Sequence, residues 1–591
     1  MADQKIENLL ELSVEVDDST REKSENLQVG YDPQEKRWEI ILRYSGEMES
    51  LAERYDSLVP LLGGYATAEV TESQLLQLSG EPLVEFIEKP KALSFAVYEG
   101  KLVSCIPPVQ RAPYSLTGQG ILVGIVDSGI DIFHPDFRKE DGSTRIVGLW
   151  DQTLTPQPGI GLEPPEGYRN GIFFSEEVIN ELLDNEEYLT SRRALDRFGI
   201  RNTPTQDLYG HGTHVAGIAV GNGRASRGEN RGVAYEADIL VVKLGHPTVQ
   251  GFPQTAQLMQ GVDFCVRMGI QRGQPLAINL SYGNNYGSHT GTSLIETYLD
   301  AVSNMGRTTI CVGSGNEGNL ERHASTKLEM GRDYQIEFAV TPGEYSLAIQ
   351  IWKQYTDSFQ IRMVAPSGSE IVLGQDMQGM YRYVLDGTEL LWYFGDPAPY
   401  SIAQEIYLEL LPEGIYTNIQ SGVWKMILIP RRVVDGQIDL WMPSGSSINQ
   451  DTGFLVPDVD RTLTIPSTAA NPITVGAYDG STDSYASFSG RGYVCCGLVK
   501  PDLAAPGVNI LSCSPGGGYV SKTGTSMACP FVTGSAALLM QYGIVRGQDP
   551  YLFGQKVKAY LIRGARQLPA FDTYPNDSIG WGVLCLRDSL T

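Results

Sequence analysis

Three short segments of the chain carry residue types that could act together on a carbonyl group. Asp127 lies in IVDSGIDIFHPDF, His211 in YGHGTHVAGIAVG and Ser526 in SKTGTSMACPFVTGSAALL. A neutral serine hydroxyl is a weak nucleophile and needs a base within hydrogen-bond reach. An imidazole can take that proton near neutral pH, and a carboxylate on its other nitrogen fixes the tautomer and steadies the imidazolium. Singly, each residue has an ordinary reading as a helix cap, a packed histidine or a turn serine. In the order Asp, His, Ser they match one of the known chain orders of such a triad. The intervals between them are 84 and 315 residues, so the chemistry requires elements that bring distant segments to one place.

Those elements are legible. ILVGIVDSG, at residues 121–129, is a continuous apolar run ending in polar and glycine residues, the pattern of a buried parallel strand. DILVVKL (238–244), LAINLSYG (276–283) and TTICVGSGN (308–316) repeat it, with helical stretches such as 256–268 and 293–305 between them. The alternation predicts an α/β domain, a doubly wound parallel sheet with its chemistry at the strand carboxyl ends. Ser526 should open a helix running to about Met540, with its hydroxyl at the N-terminus where developing negative charge is favoured.

Two further modules flank and interrupt this domain. In residues 36–90, WEIILRY, GYATAEV and PLVEFIEK read as strands and 46–62 carries helical spacing. Thr71 and Gln74 have capping-box spacing, so a second helix should run to about Leu78, and the whole reads as a small α/β unit. Between 321 and 457, nine short alternating runs from EFAVT to QIDLWM predict an all-β sandwich or jelly roll. TLTIPSTAANPITVGAY then resumes the α/β texture, so the β module is an insertion. The expected division is 1–96, then 97–320 joined to 458–591, with 321–457 inserted. Trp352, Trp392, Trp424 and Trp441 are expected to form the β module's core.

Composition narrows the function classes. A chain of 591 residues, 42% hydrophobic, is long enough for several well-packed domains. A net charge of −25 without a Lys/Arg cluster repels phosphate backbones, so nucleic acid is not an expected partner. The start MADQKIENLLELSVEVDDST lacks the basic and apolar regions of a signal peptide, and no run approaches the ~18 apolar residues of a membrane span. These features predict cytoplasmic synthesis and no membrane association. Eight cysteines, with Cys495 and Cys496 adjacent, suggest neither a disulfide framework nor zinc, so reduced, buried thiols are expected. No acidic loop has EF-hand spacing, and neither a cofactor nor a metal site is expected, although calcium held by separate loops stays open.

With these segments in hand, the chain resembles the subtilisin-like serine proteases (subtilases) over roughly 97–320 and 458–585. HGTHVAG and GTSMA-x-P are the most specific strings. In subtilisin the triad intervals are about 32 and 157 residues, so both intervals here contain insertions, the first within 150–207 and the second the β module. The resemblance implies that Asp127, His211 and Ser526 are catalytic. It also implies that Asn316, in GSGNEGN, joins the Ser526 N–H in an oxyanion hole. Ser281, Tyr282 and Gly283 would pair their backbone with extended substrate. His214, His134, Asp131 and Asp136 would shape the surroundings, and Cys529 would pack within the serine helix.

Residues 1–96 then resemble a propeptide that acts as folding template and inhibitor. VEFIEKP, DSGID followed by F-R-x-E-D-G, and LWDQT are similar to the Csp-type germination proteases of spore-forming anaerobic bacteria. That likeness implies a serine endopeptidase that cuts itself between Ala96 and Val97 and retains the cleaved propeptide without a covalent link. It further implies association with the spore and, as protein substrate, the precursor of a cortex-lytic hydrolase. A catalytically silent binding or sensor protein and a general protein-degrading protease are the alternatives; the intact triad favours an enzyme.

Overall fold

The computed structural model describes residues 5–33, 35–46, 54–55, 57–91, 103–184, 207–246, 253–374, 377–492 and 498–590. The chain divides into two compact units. One comprises Phe95–Gly283, Ile295–Asn316 and Pro466–Thr591; the other comprises Met1–Ser94, Asn284–Leu294 and Glu317–Ile465.

The first unit is built on a nine-stranded sheet. Its central strands are Thr308–Gly313, Leu276–Leu280, Leu122–Asp127 and Asp238–Lys243, adjacent in that order and all parallel. Every residue of Leu122–Asp127 and of Leu276–Leu280 is buried, which is why both read as unbroken apolar runs. The predicted helices form as Thr255–Arg272 and Leu294–Val302. Helix Thr525–Met540 is buried along its whole length and packs against five strands and against helix His211–Val220, itself wholly buried. By length and composition Thr525–Val545 could cross a bilayer, yet most of it is buried in protein. The first insertion supplies strand Ile172–Ser175 and helix Glu176–Asp184, beside strand Ile146–Asp151.

One expectation about cysteine fails. Cys105 and Cys585 form a disulfide across 480 residues, whereas the sequence suggested only reduced thiols. The two are far apart in sequence, and only the folded chain brings their Cα atoms to 4.8 Å. Cys265, Cys311, Cys513 and Cys529 are free and buried as expected; Cys495 and Cys496 lie outside the described residues.

The second unit holds the N-terminal domain and the β module. Strands Arg37–Tyr44, Tyr65–Val70 and Val84–Glu88 form as predicted, and helix Glu72–Ser79 carries the complete Thr71–Gln74 capping box. The expected 46–62 helix is not found where the chain is described: Val59–Leu61 is a strand paired with Tyr65–Val70. Residues 47–53 fall outside the described set. The β module consists of two antiparallel sheets of six and five strands. All nine predicted runs are strands, and His323–Lys327 and Gly453–Phe454 join them. Trp392 and Trp424 are fully buried in the core between the sheets. Trp441 is buried but does not join that core: Ile438 and Leu440 of its strand face inward, and Trp441, on the other face, stacks on His289 and His323. Trp352 departs from the expectation: it is partly exposed and lines a cavity with Phe86, Glu88 and Lys91 of the N-terminal domain.

That domain is seated on the β module. Leu9 and Leu12 of helix Asn8–Glu15, with Val16 and Leu27, pack on Leu391, Tyr393, Tyr407 and Leu411. Around this apolar contact Lys23 Nζ donates to the Pro412 carbonyl at 2.8 Å and Tyr400 donates to Glu85 at 2.5 Å. Ser24 donates to Glu409 and Tyr393 donates to Glu11.

Candidate active site

The residues singled out in the sequence converge at the carboxyl ends of neighbouring strands, where ligands of open α/β sheets bind. Asp127 ends strand Leu122–Asp127, Ser281 follows Leu276–Leu280, and Asn316 follows Thr308–Gly313. His211 begins helix His211–Val220, and Ser526 is the second residue of helix Thr525–Met540. Asp127, His211 and Ser526 are all at most 4% exposed.

His211 Nδ1 lies 2.7 Å from Asp127 Oδ1. That oxygen also accepts the Ser128 N–H at 2.7 Å, so Asp127 is fixed from its own backbone. The close approach of helix and strand depends on Gly212. A Cβ there would stand 2.1 Å from the Gly129 carbonyl and 3.1 Å from Asp127 Cβ. Any larger residue would push the imidazole away from its carboxylate.

Pro530 explains how the serine is held. Lacking an N–H, it cannot bond the carbonyl four residues earlier, which belongs to Ser526. Ser281 Oγ fills the gap, donating to Ser526 O at 3.1 Å while accepting from Asn279 Nδ2 at 2.8 Å. In return Ser526 Oγ donates to the Ser281 carbonyl at 3.2 Å. Tyr282 places its ring centroid 6.2 Å from that of His211. Burial, with Asp127 and Asp207 nearby, pushes its phenol well above the ordinary value, so it stays neutral. Asn316 Oδ1 accepts from the Thr525 N–H at 3.1 Å, which ties this amide to the residue beside Ser526 and leaves both Nδ2 protons as donors. Gly283 is buried at the end of the same segment. Ala96 and Val97 lie outside the described residues.

The neighbours behave as structural residues. His214 is buried, with Nε2 3.0 Å from the Ile510 and Val520 carbonyls, and burial pushes it down to about 3. It is therefore a neutral N–H donor. His134, Asp136 and Cys513 bring possible ligand atoms within 4.8 Å of one another, a cluster the sequence did not reveal. Each is engaged: His134 Nε2 meets the Gly518 carbonyl at 2.9 Å, and Asp136 Oδ2 accepts from Tyr519 at 2.7 Å and from the Cys513 thiol. Burial beside Asp136 pushes that thiol well up, so it remains a donor rather than a thiolate ligand. The sequence also gave no role to Asp207, which accepts from Ser128 and Thr213 beneath the triad. An acidic residue four positions before the helix start was the available signal.

The comparisons agree with this geometry. The family model described as the Csp protease B prodomain matches residues 4–91, and the one described as the subtilase family matches 118–353 and 457–582. The unmatched interval lies within the β module. The minor extracellular protease Vpr of Bacillus subtilis is 26% identical over 518 residues, covering 80% of this chain and 52% of Vpr. The PII-type proteinase of Lactococcus lactis subsp. cremoris is 24% identical over 472 residues, covering 72% of this chain and 23% of its own. The chain thus spans about half the length, or less, of these curated relatives. The solved structure of the Clostridium perfringens CspB protease is 35% identical, covers 83% of this chain and 96% of its own, and superposes with a TM-score of 0.73.

Proposed function

This chain belongs to the subtilase family, and from that membership we propose that it is a serine endopeptidase working through Asp127, His211 and Ser526. The observation that carries the reading is the 2.7 Å contact between His211 Nδ1 and Asp127 beside a helix that opens on Ser526. His211 takes the Ser526 proton as the hydroxyl attacks a peptide carbonyl, then returns it to the leaving amine. Asp127 holds the Nδ1–H tautomer and offsets the imidazolium charge. The Asn316 amide and the Ser526 N–H stabilise the tetrahedral oxyanion. Ser281, Tyr282 and Gly283 align an extended substrate.

Within the family, the matched prodomain and the likeness to CspB support a narrower reading: limited proteolysis of a precursor, such as a spore cortex-lytic hydrolase. On the same grounds the chain cuts itself between Ala96 and Val97 and keeps the N-terminal domain bound. The packing of that domain on the β module supports its retention. Intact-mass measurement tests this directly. Wild type should give two fragments that co-elute under native conditions, and Ser526→Ala one intact chain. Labelling with a fluorophosphonate separates an enzyme from a silent sensor, because only the former forms an adduct on Ser526. An unlabelled Ser526, or undiminished hydrolysis by Ser526→Ala, overturns the peptidase reading.

A further inference from the structure

We propose that Asp207 is a positioning residue for the triad, a buried carboxylate that registers the Asp127 segment against the His211 helix. Asp207 is 3% exposed and receives four hydrogen bonds on two oxygens. Oδ1 accepts from Ser128 Oγ at 2.8 Å and from the Gly210 N–H at 3.0 Å. Oδ2 accepts from the Thr213 N–H and from Thr213 Oγ1, both at 2.8 Å.

Each hydroxyl then passes the connection on. Ser128 Oγ accepts the Gly212 N–H at 3.0 Å, and Thr213 Oγ1 accepts the Asp131 N–H at 2.9 Å. One bridge runs from the residue after Asp127 to the residue after His211. The other runs from the helix back to Asp131, four residues beyond Asp127. The carboxylate forces both hydroxyls to donate toward it, so their lone pairs must face the two backbone N–H groups. Without that demand each hydroxyl could rotate, and the two segments would be held by packing alone.

Position adds a second effect. Asp207 lies at the N-terminal end of helix His211–Val220 and takes up the otherwise unpartnered Thr213 N–H of its first turn. On the far side Lys522 Nζ donates to the Tyr209 and Gly210 carbonyls at 3.1 Å each, fixing the turn between Asp207 and His211. Asp207 touches neither the imidazole nor the serine in these contacts; its action is on their placement. A displacement near 1 Å at a reacting group can cost about 10²-fold in rate. The 2.7 Å His211–Asp127 contact is the distance at risk.

This inference rests on the peptidase reading, and the test keeps the two apart. In the full chain, Asp207→Asn turns one accepting oxygen into an N–H₂ group that cannot serve its former donors. Turnover should be measured per active site counted by fluorophosphonate. A fall in kcat of about 10–100-fold with KM within about twofold is expected. The downfield proton resonance of the His211–Asp127 hydrogen bond should also broaden and exchange faster with solvent. Should Asp207→Asn fold poorly, Ser128→Ala and Thr213→Val, each cutting one bridge, should show the same signature at smaller amplitude. Unchanged kcat per titrated site and an unchanged resonance, whatever the loss of stability, overturn the proposal. A wild type without turnover defeats the peptidase reading instead, and the resonance alone then decides the role of Asp207.

Discussion

Beneath the triad, every hydrogen bond that Asp127 and Asp207 make is received from an N–H or hydroxyl donor. In the other unit, Glu405 and Glu409 of strand Ala403–Pro412 are as deeply buried but in different company. Glu405 accepts from Gln350 and Asn8 and faces Glu7 and Lys91. Burial, reinforced by the Glu7 charge, pushes it up to about 8. Glu409 is met by Ser24, Tyr407, Asn26 and the charge of Lys89, and burial pushes it up to about 7. In one region a buried carboxyl is a set of acceptors around which N–H and hydroxyl donors are aligned. In the other, burial favours the protonated form of a carboxyl that joins two domains.

Exchanging acid for amide should separate the two regions most sharply. Asp127→Asn should lower kcat by about 10⁴-fold, because an amide selects the wrong imidazole tautomer. Glu405→Gln should leave kcat per titrated site at the wild-type level. Comparable losses in both variants would erase the distinction. Next in size, Asn316→Ala should lower kcat by about 10²–10³-fold with little change in KM.

A smaller effect should appear with pH. Both glutamates take up protons when the N-terminal domain docks, so the stabilisation is complete below the ordinary carboxyl range. It is lost as pH rises through about 7 and then about 8. Amide hydrogen exchange in helix Asn8–Glu15, corrected for intrinsic rate, should therefore show protection falling by ~10-fold or more between pH 6 and pH 9. Glu405→Gln combined with Glu409→Gln should flatten that profile; a wild-type profile without slope would contradict the comparison. The smallest effect serves as the control. Thr71→Ala breaks the capping box away from both glutamates and should cost about 1 kcal/mol equally at pH 6 and pH 9.

The sequence disclosed most readily what local rules govern. Unbroken apolar strands, the Thr71 cap, nine alternating β runs and the triad motifs depend on residues close together in the chain. His323–Lys327 was missed because HASTK lacks apolar alternation, and Gly453–Phe454 because two residues carry no period. The buried glutamates were illegible for a different reason. In AQEIYLELLP, Ile406, Leu408 and Leu410 face the module core, while Glu405, Tyr407 and Glu409 form the opposite face. Polar alternation ordinarily marks a solvent face, and only the N-terminal segment lying on it makes it an interior. Asp207 stayed hidden because its partners are Ser128 and Thr213, hydroxyls whose importance comes from geometry rather than type.

The disulfide between Cys105 and Cys585 has a mechanical consequence. It closes a covalent ring that contains the whole of the nine-stranded sheet and, within its circumference, the inserted β module. A pull applied between residues outside the ring at either end passes straight across the sulfur bridge and loads none of the parallel strands. The N-terminal domain lies outside that ring, so the bridge does not shield it from such a pull.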